Sequence, residues 1–302
     1  MNFSDGYIGI DIGGTNLRGA LLLADGSIAS RFRQKTDISS GVASFLDRLT
    51  SELVQVMGDA AAAGVQVKGI GLGVPGLIGR DGLIHSSVNL QPLEELNLAG
   101  LMMERLSVPV VAANDANLNA LGESLAGAGR GLDSLVVITI GTGLGSGLLL
   151  DGRLWSGTGG FAAEFGHTTV VPDGLPCPCG NRGCLEQYVS AAALSRHGGG
   201  LTPEVLAVRA AQGEPQASAA FQMLGYWLGT ALASLLNTLN LQGVVIGGGV
   251  AESFRLFEPS LRRTIEQRTF RQISQGVVIR QAMLGDDAGL VGAARYAAQV
   301  SG

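Results

Sequence analysis

Ile8-Gly9-Ile10-Asp11-Ile12-Gly13-Gly14-Thr15-Asn16 reads as an apolar strand that carries a carboxylate to its end and then turns on two glycines. Outward from it, Leu17–Leu23 and Ile28–Arg33 continue as strands, with Asp25-Gly26 as the hairpin turn between them. The same order returns later in the chain. Leu135–Ile140 is rich in β-branched residues, Gly141-Thr142-Gly143 turns, Leu144–Leu150 runs back, and Asp151-Gly152 is the next hairpin turn. Strand, Gly-Thr turn, strand and Asp-Gly turn thus occur twice, which indicates an internal duplication of one supersecondary unit.

Between and after these units the period changes. Phe45–Ala63 has helical spacing at Phe45, Leu49, Leu53 and Val56, and Asn97 caps a helix that runs to Leu106. Lys68–Val74 is a buried strand ending at Pro75-Gly76, and Val108–Ala112 is a strand that enters a helix after Asn114. Ala217–Leu239 is a long apolar helix, Gly243–Ile246 and Val277–Ala282 are strands, and Ala288–Val300 is the last helix. Strands alternating with helices give an α/β protein with partly parallel sheets. The 302 residues allow two domains. The stretch Ala116–Gly131 holds the boundary, placed after residue 117, with a smaller α/β domain over 1–117 and a larger one over 118–287.

Composition narrows the function classes. A net charge of −5 and the lack of a dense Lys/Arg tract disfavour a nucleic-acid partner. No apolar run approaches the ~18 residues of a membrane helix, so no membrane partner is expected. The first residues lack a basic n-region and carry Asp5 and Asp11, which is not a signal peptide and places the chain in the cytoplasm. Lys35 and Lys68 are the only lysines, and no GxxxxGK[ST] occurs, so nucleotide phosphates would have to be held without a Walker lysine. Glycine turns can do this, because successive backbone N–H groups form an anion cradle. Gly13, Gly14 and Thr15 make one such turn, with Asp11 beside it to face Mg²⁺ through water. Gly141, Thr142 and Gly143 make a second. Gly247, Gly248 and Gly249, at a strand-to-helix junction, suit an adenosine or its α-phosphate. Each cluster alone is equally a tight turn. Gly71-Leu72-Gly73-Val74-Pro75-Gly76 fits GxGxxG, but a turn-rich β pattern follows it where a dinucleotide fingerprint must open a helix, so that site is rejected.

Asn114-Asp115-Ala116-Asn117 puts a carboxylate at a strand end and helix start. Asp115 there can accept a proton from a substrate hydroxyl, with Asn114 binding a neighbouring hydroxyl, although a helix cap alone explains the tetrapeptide as well. Glu164, His167 and Glu186 offer acceptors suited to a polyhydroxylated ligand, and Asn89 is a further candidate. All three cysteines lie in Cys177-Pro178-Cys179-Gly180-Asn181-Arg182-Gly183-Cys184. Three clustered thiols in a reducing compartment point to metal, and a structural Zn²⁺ takes four N/S ligands. His167 is the fourth, Gly180 and Gly183 supply the tight turn, and the knuckle would fix Glu164 and Glu186.

DIGGTN at 11–16, NDAN at 114–117, GTG at 141–143, ExGH at 164–167, CxCGxxGCxE at 177–186 and GGG at 247–249 together resemble the ROK family of repressors, open reading frames and kinases. The resemblance implies an actin-like, hexokinase-type ATPase fold of two domains with a central cleft, the C-terminal helix at about 288–302 packing back on the first. It implies an ATP-dependent hexose kinase with glucose as the default substrate and Asp115 as the base. Sugar contacts would come from Asn114, Asp115, Glu164, His167 and Glu186, with Asn89 in addition. Zinc would sit on His167, Cys177, Cys179 and Cys184, so that His167 uses one ring nitrogen for metal and the other for sugar. It also implies a homodimer. The chain departs from the family pattern in two places. QPLEEL follows Asn89-Leu90 where many family kinases have a Trp, and Asn16 stands where many glucokinases have Lys. The family includes sugar-responsive regulators with an N-terminal helix-turn-helix. The loop that starts at Ile8 leaves no room for one here, and a kinase is expected.

Overall fold

A computed structural model describes residues 4–87 and 89–301. The chain opens with strands β1 (Ser4–Ile12), β2 (Asn16–Leu23) and β3 (Ile28–Lys35), helix α1 (Val42–Ala62) and strand β4 (Val65–Val74). The short strands β5 (Leu77–Ile78) and β6 (Ile84–Ser86), helix α2 (Leu98–Leu106), strand β7 (Val110–Asn114) and helix α3 (Asp115–Ala126) follow. Strands β8 (Leu135–Ile140), β9 (Leu144–Leu150) and β10 (Arg153–Leu154) precede helices α4 (Ala191–His197), α5 (Pro203–Ala211) and α6 (Pro215–Leu239). Strand β11 (Gly243–Gly247), helices α7 (Phe254–Arg268) and α8 (Arg271–Gly276), strand β12 (Val278–Gln281) and helix α9 (Asp287–Ser301) complete it.

Two compact units divide the chain. One runs through Arg130 and takes in Leu154–Ala162 and the chain from Asp286 onward; the other comprises Gly131–Arg153 and Ala163–Gly285. The sequence reading drew the line after residue 117, inside the first turn of what is α3. That helix stays whole with the first unit because it packs backbone to backbone on α9. A Cβ added to Gly292 would fall 1.7 Å from Leu118 O, and one added to Gly122 would fall 2.1 Å from Ala288 O. Leu154–Ala162, assigned by sequence to the larger domain, also lies with the first unit. There Phe161 meets His85 edge to face at 5.0 Å between centroids.

The first unit's sheet has the order β3-β2-β1-β4-β7. The hairpin strands are antiparallel, and β1, β4 and β7 are parallel, with Asp11 opposite Gly73 and Val74 opposite Asn114. One face is covered by α1 and α2 through Phe45, Leu49, Leu53 and Met102, all buried. On the other lies α9, which approaches so closely that a Cβ on Gly9 or Gly71 would stand 1.9 Å from a carbonyl of that helix.

The second unit's sheet has the order β10-β9-β8-β11-β12. Again a hairpin is extended by parallel strands, with Gly247 opposite Thr139. The two sheets share one strand order, so the duplication read from the sequence is a duplication of the sheet. Its core is built on α6 and α7, packed through Gly225 and Gly229; a Cβ on Gly225 would lie 2.5 Å from Phe257 O. By length and composition alone α6 is long and apolar enough to cross a membrane, although no apolar run of ~18 residues was read in the sequence. Its Phe221, Leu224, Leu228, Leu232 and Leu236 are fully buried in this core.

Candidate active site and metal centre

In the first unit the expected residues gather at the carboxyl ends of β1, β4 and β7, the edge where parallel sheets place ligands. Gly13 N–H donates to Asn16 O at 3.0 Å and closes the turn, so any phosphate contact from this loop comes from beyond Gly13. Asp11, at the end of β1, receives Arg18 Nη2 at 2.7 Å, and Arg18 Nη1 also reaches Asp286 at 2.6 Å. Asn89 lies against the turn, 3.3 Å from where a Gly14 Cβ would be. Asn114 ends β7 and caps α3, accepting Asn117 N–H at 3.0 Å and donating Nδ2 to Gly76 O at 3.0 Å. Asp115 is the first residue of α3, and its Oδ1 accepts the N–H of Ala116 at 2.8 Å. The cap reading and the functional reading of this motif thus concern different residues: Asn114 caps, and Asp115 is positioned by the capped helix.

The second unit repeats the arrangement. Gly141 N–H bonds to Gly143 O at 2.9 Å, and no atom lies within 4 Å of where a Cβ on Gly141 or Gly249 would be. Gly248, with φ +84°, is pressed so closely on Ile140 that a Cβ would meet its carbonyl at 2.4 Å. The triple glycine is therefore fixed beside the end of β8. Glu186 Oε2 accepts the N–H of Leu144 at 2.9 Å, immediately after the Gly-Thr-Gly turn. His167 Nε2 faces Glu164 Oε2 at 3.9 Å. Burial pushes the Glu164 carboxyl above its usual range, with His167 opposing the shift and Glu186 adding to it.

His167, Cys177, Cys179 and Cys184 come together, their ligand atoms all within 4.8 Å of one another. His167 Nδ1 stands 3.7 Å from Cys177 Sγ, and Cys179 Sγ stands 3.7 Å from Cys184 Sγ. A tetrahedral zinc with bonds of ~2.3 Å to sulfur and ~2.0 Å to nitrogen has ligand edges of roughly 3.6–3.8 Å, so these residues fit that ion. All three cysteines are unbridged. Burial, together with the neighbouring cysteines, pushes the Cys184 thiol up to about 12, whereas the backbone of Asn181 draws the Cys179 thiol below its ordinary value. The turn is built from the glycines that the sequence singled out. Gly180 has φ +92° and Gly183 φ +71°, and a Cβ on Gly183 would fall 1.7 Å from Val171 O. Asn181 Nδ2 and Gln187 Nε2 point at Cys184 and Cys177 sulfurs at 3.3 and 3.7 Å, as groups around a metal ligand do.

The sequence profile of the ROK family matches residues 7–300. This chain is a member of the ROK family. The ROK protein is 34% identical to a glucokinase of Halalkalibacterium halodurans over 95% of this chain and 93% of that one. Its fold matches the crystal structure of a ROK family glucokinase from Streptomyces griseus in complex with glucose and AMPPNP. The TM-score there is 0.78 at 33% identity, covering 97% of this chain and 99% of that chain. It is also 30% identical to the xylose repressor of Bacillus subtilis, where 97% of this chain matches 77% of the repressor. The actin-like, hexokinase-type fold expected of the ROK family is the fold of these sugar kinases.

Sequence reasoning missed three residues around the site. Arg18 was findable, because the β1–β2 hairpin register sets it directly opposite Asp11. Ser87 and Glu94 gave no signal: Ser87 Oγ donates to Pro75 O at 2.6 Å, and Ser87 N–H donates to Glu94 Oε1 at 2.7 Å.

Proposed function

We propose that this ROK protein is an ATP-dependent hexose kinase that phosphorylates glucose at its 6-hydroxyl. What carries the reading is the end-to-end match, at 33% identity, to a glucokinase whose structure contains glucose and AMPPNP. The hydroxyl oxygen attacks the γ-phosphorus, the bond from that phosphorus to the β–γ bridging oxygen breaks, and ADP leaves. Asp115 takes the hydroxyl proton; the capped start of α3 aims its carboxylate. Asn89, Asn114, Asp115, Glu164, His167 and Glu186 contact the sugar. The loops at Gly13-Gly14-Thr15 and Gly141-Thr142-Gly143, with Gly247-Gly248-Gly249, hold the nucleotide. Asp11 keeps one oxygen on Arg18 and offers the other toward the nucleotide's Mg²⁺. Bound to His167 and the three cysteines, zinc supplies structural cross-linking alone, since four protein ligands leave no open position. A cytoplasmic homodimer completes the reading.

The test is Asp115→Ala in a coupled assay with ATP and glucose. Turnover falls by at least about 10²-fold while part of the hexose binding survives; wild-type-like turnover sinks the assignment. A panel of glucose, fructose, mannose, allose, N-acetylmannosamine and N-acetylglucosamine, compared by kcat/KM, identifies the sugar. The repressor match favours a second reading, a sugar-responsive regulator. It requires hexose binding without phosphorylation, which the same assay detects.

A further inference from the structure

Ser87 is fully buried, 1% exposed, in a segment that leads from β6 to Asn89. Its backbone N–H has a side-chain acceptor, Glu94 Oε1 at 2.7 Å. Its hydroxyl donates to Pro75 O at 2.6 Å, in the loop that leaves β4. The next carbonyl of that loop, Gly76 O, receives the side chain of Asn114 at 3.0 Å. Gly76 itself has φ +119°, and a Cβ there would fall 2.0 Å from Ser86 O, so the two segments meet backbone to backbone. Two residues beyond Ser87, Asn89 lies on Gly14. Ser87 thus bonds the loop after β4 one carbonyl away from the one that receives Asn114 at the end of β7, and Glu94 holds the serine from outside those strands.

We infer that Glu94 is a positioning residue for the hexose: its carboxylate holds Ser87, and through it Asn89 and Asn114, in the geometry that meets the sugar. This rests on the hexose-kinase reading above. The Glu94 carboxylate holds the backbone N–H of Ser87, two residues before Asn89, so its work falls on sugar binding and not on the phosphoryl-transfer step. A hydrogen bond from a buried backbone N–H to a charged acceptor is among the stronger ones, and removing the acceptor leaves that N–H unpaired. A Gln at this position keeps an oxygen able to accept the same N–H; an Ala does not.

The experiment compares wild type, Glu94→Ala, Glu94→Gln and Ser87→Ala by steady-state kinetics in both substrates, by calorimetric glucose binding without ATP, and by Tm. Glu94→Ala raises the glucose KM and Kd by about tenfold or more, with kcat and the ATP KM held within about twofold. Glu94→Gln stays near wild type, and Ser87→Ala, which loses only the Pro75 bond, falls between. Glucose KM and Kd unchanged in Glu94→Ala overturn the inference. So does a rise in the ATP KM, or a fall in kcat, equal to the glucose effect. Should Glu94→Ala fail to fold, Ser87→Ala decides on the same readouts. A wild type that neither binds nor phosphorylates any hexose strikes the functional reading; an active wild type with insensitive variants strikes the inference alone.

Discussion

Glu186 Oε2 accepts the backbone N–H of Leu144 at 2.9 Å. A residue expected on the sugar is therefore bonded to the first residue after the Gly141-Thr142-Gly143 turn, so one carboxylate serves two elements of the second unit. Glu186→Ala removes both, and its effect is expected on both substrates. The kcat/KM for glucose falls by about 10²-fold and the ATP KM rises several-fold, since a buried backbone donor is left without its acceptor. A Glu186→Ala enzyme with an unchanged ATP KM would show that the turn holds its shape without this bond.

The cysteine cluster predicts about one zinc per chain in protein purified without chelator. Cys177→Ser or Cys184→Ser reduces that content severalfold, and stripping the wild type lowers Tm by several degrees. Elemental analysis and a melting curve with and without a strong chelator check this. Metal-free wild type with an unaltered Tm removes the metal from the account.

Gly71 and Gly58 make a matched pair for stability. A Cβ at Gly71 would stand 1.9 Å from Ala293 O, backbone that cannot yield without moving α9, whereas nothing lies within 4 Å of one at Gly58, inside α1. Gly71→Ala is expected to cost about 2 kcal/mol or more, and Gly58→Ala to stabilise by about 0.5–1 kcal/mol through helix propensity. Denaturant titration measures both; a neutral Gly71→Ala means that α9 is seated more loosely than described.

His197, at the end of α4, has Nε2 buried without a partner among the described residues. Burial, with Arg196 adding to it, holds its pKa below the ordinary histidine value. The unfolded chain then takes up a proton, at a pKa of about 6.5, before the folded one does. The contribution is fully present above that value and is lost as pH falls from there toward the folded pKa. Below about pH 6.5 the Tm of wild type should drop more steeply than that of His197→Gln. Parallel slopes would mean that this imidazole is reached by water.

Much of the architecture was legible because its signals are local. Alternation and Gly turns placed β2, β8 and β9 within a residue, while β1 begins earlier than read, at Ser4; the Asn97 cap is real, its side chain accepting Gly100 N–H at 2.8 Å. The strand read as Val108–Ala112 runs over Val110–Asn114, two residues later, because pairing with β4 continues to Val74 and carries Asn114 with it. Helix α7 was unread: Pro259 lies inside it and its residues are largely polar, while Phe254, Phe257, Leu261 and Ile265 face the core. Among site residues, those in compact motifs were found. Ser87 and Glu94 were not, because what defines them is a partner brought near by folding.

Helix α9 completes the first unit although it is made after the second. Its backbone occupies the space above Gly9 and Gly71, so the sheet that begins at Ser4 stays uncovered on one face while the whole second unit is being synthesised. Domains tend to fold as they emerge from the ribosome. Here the order is reversed: the second unit is contiguous enough to close first, and the first unit waits for α9. A stop codon near Asp286 would therefore damage the far end of the chain more than the end it removes.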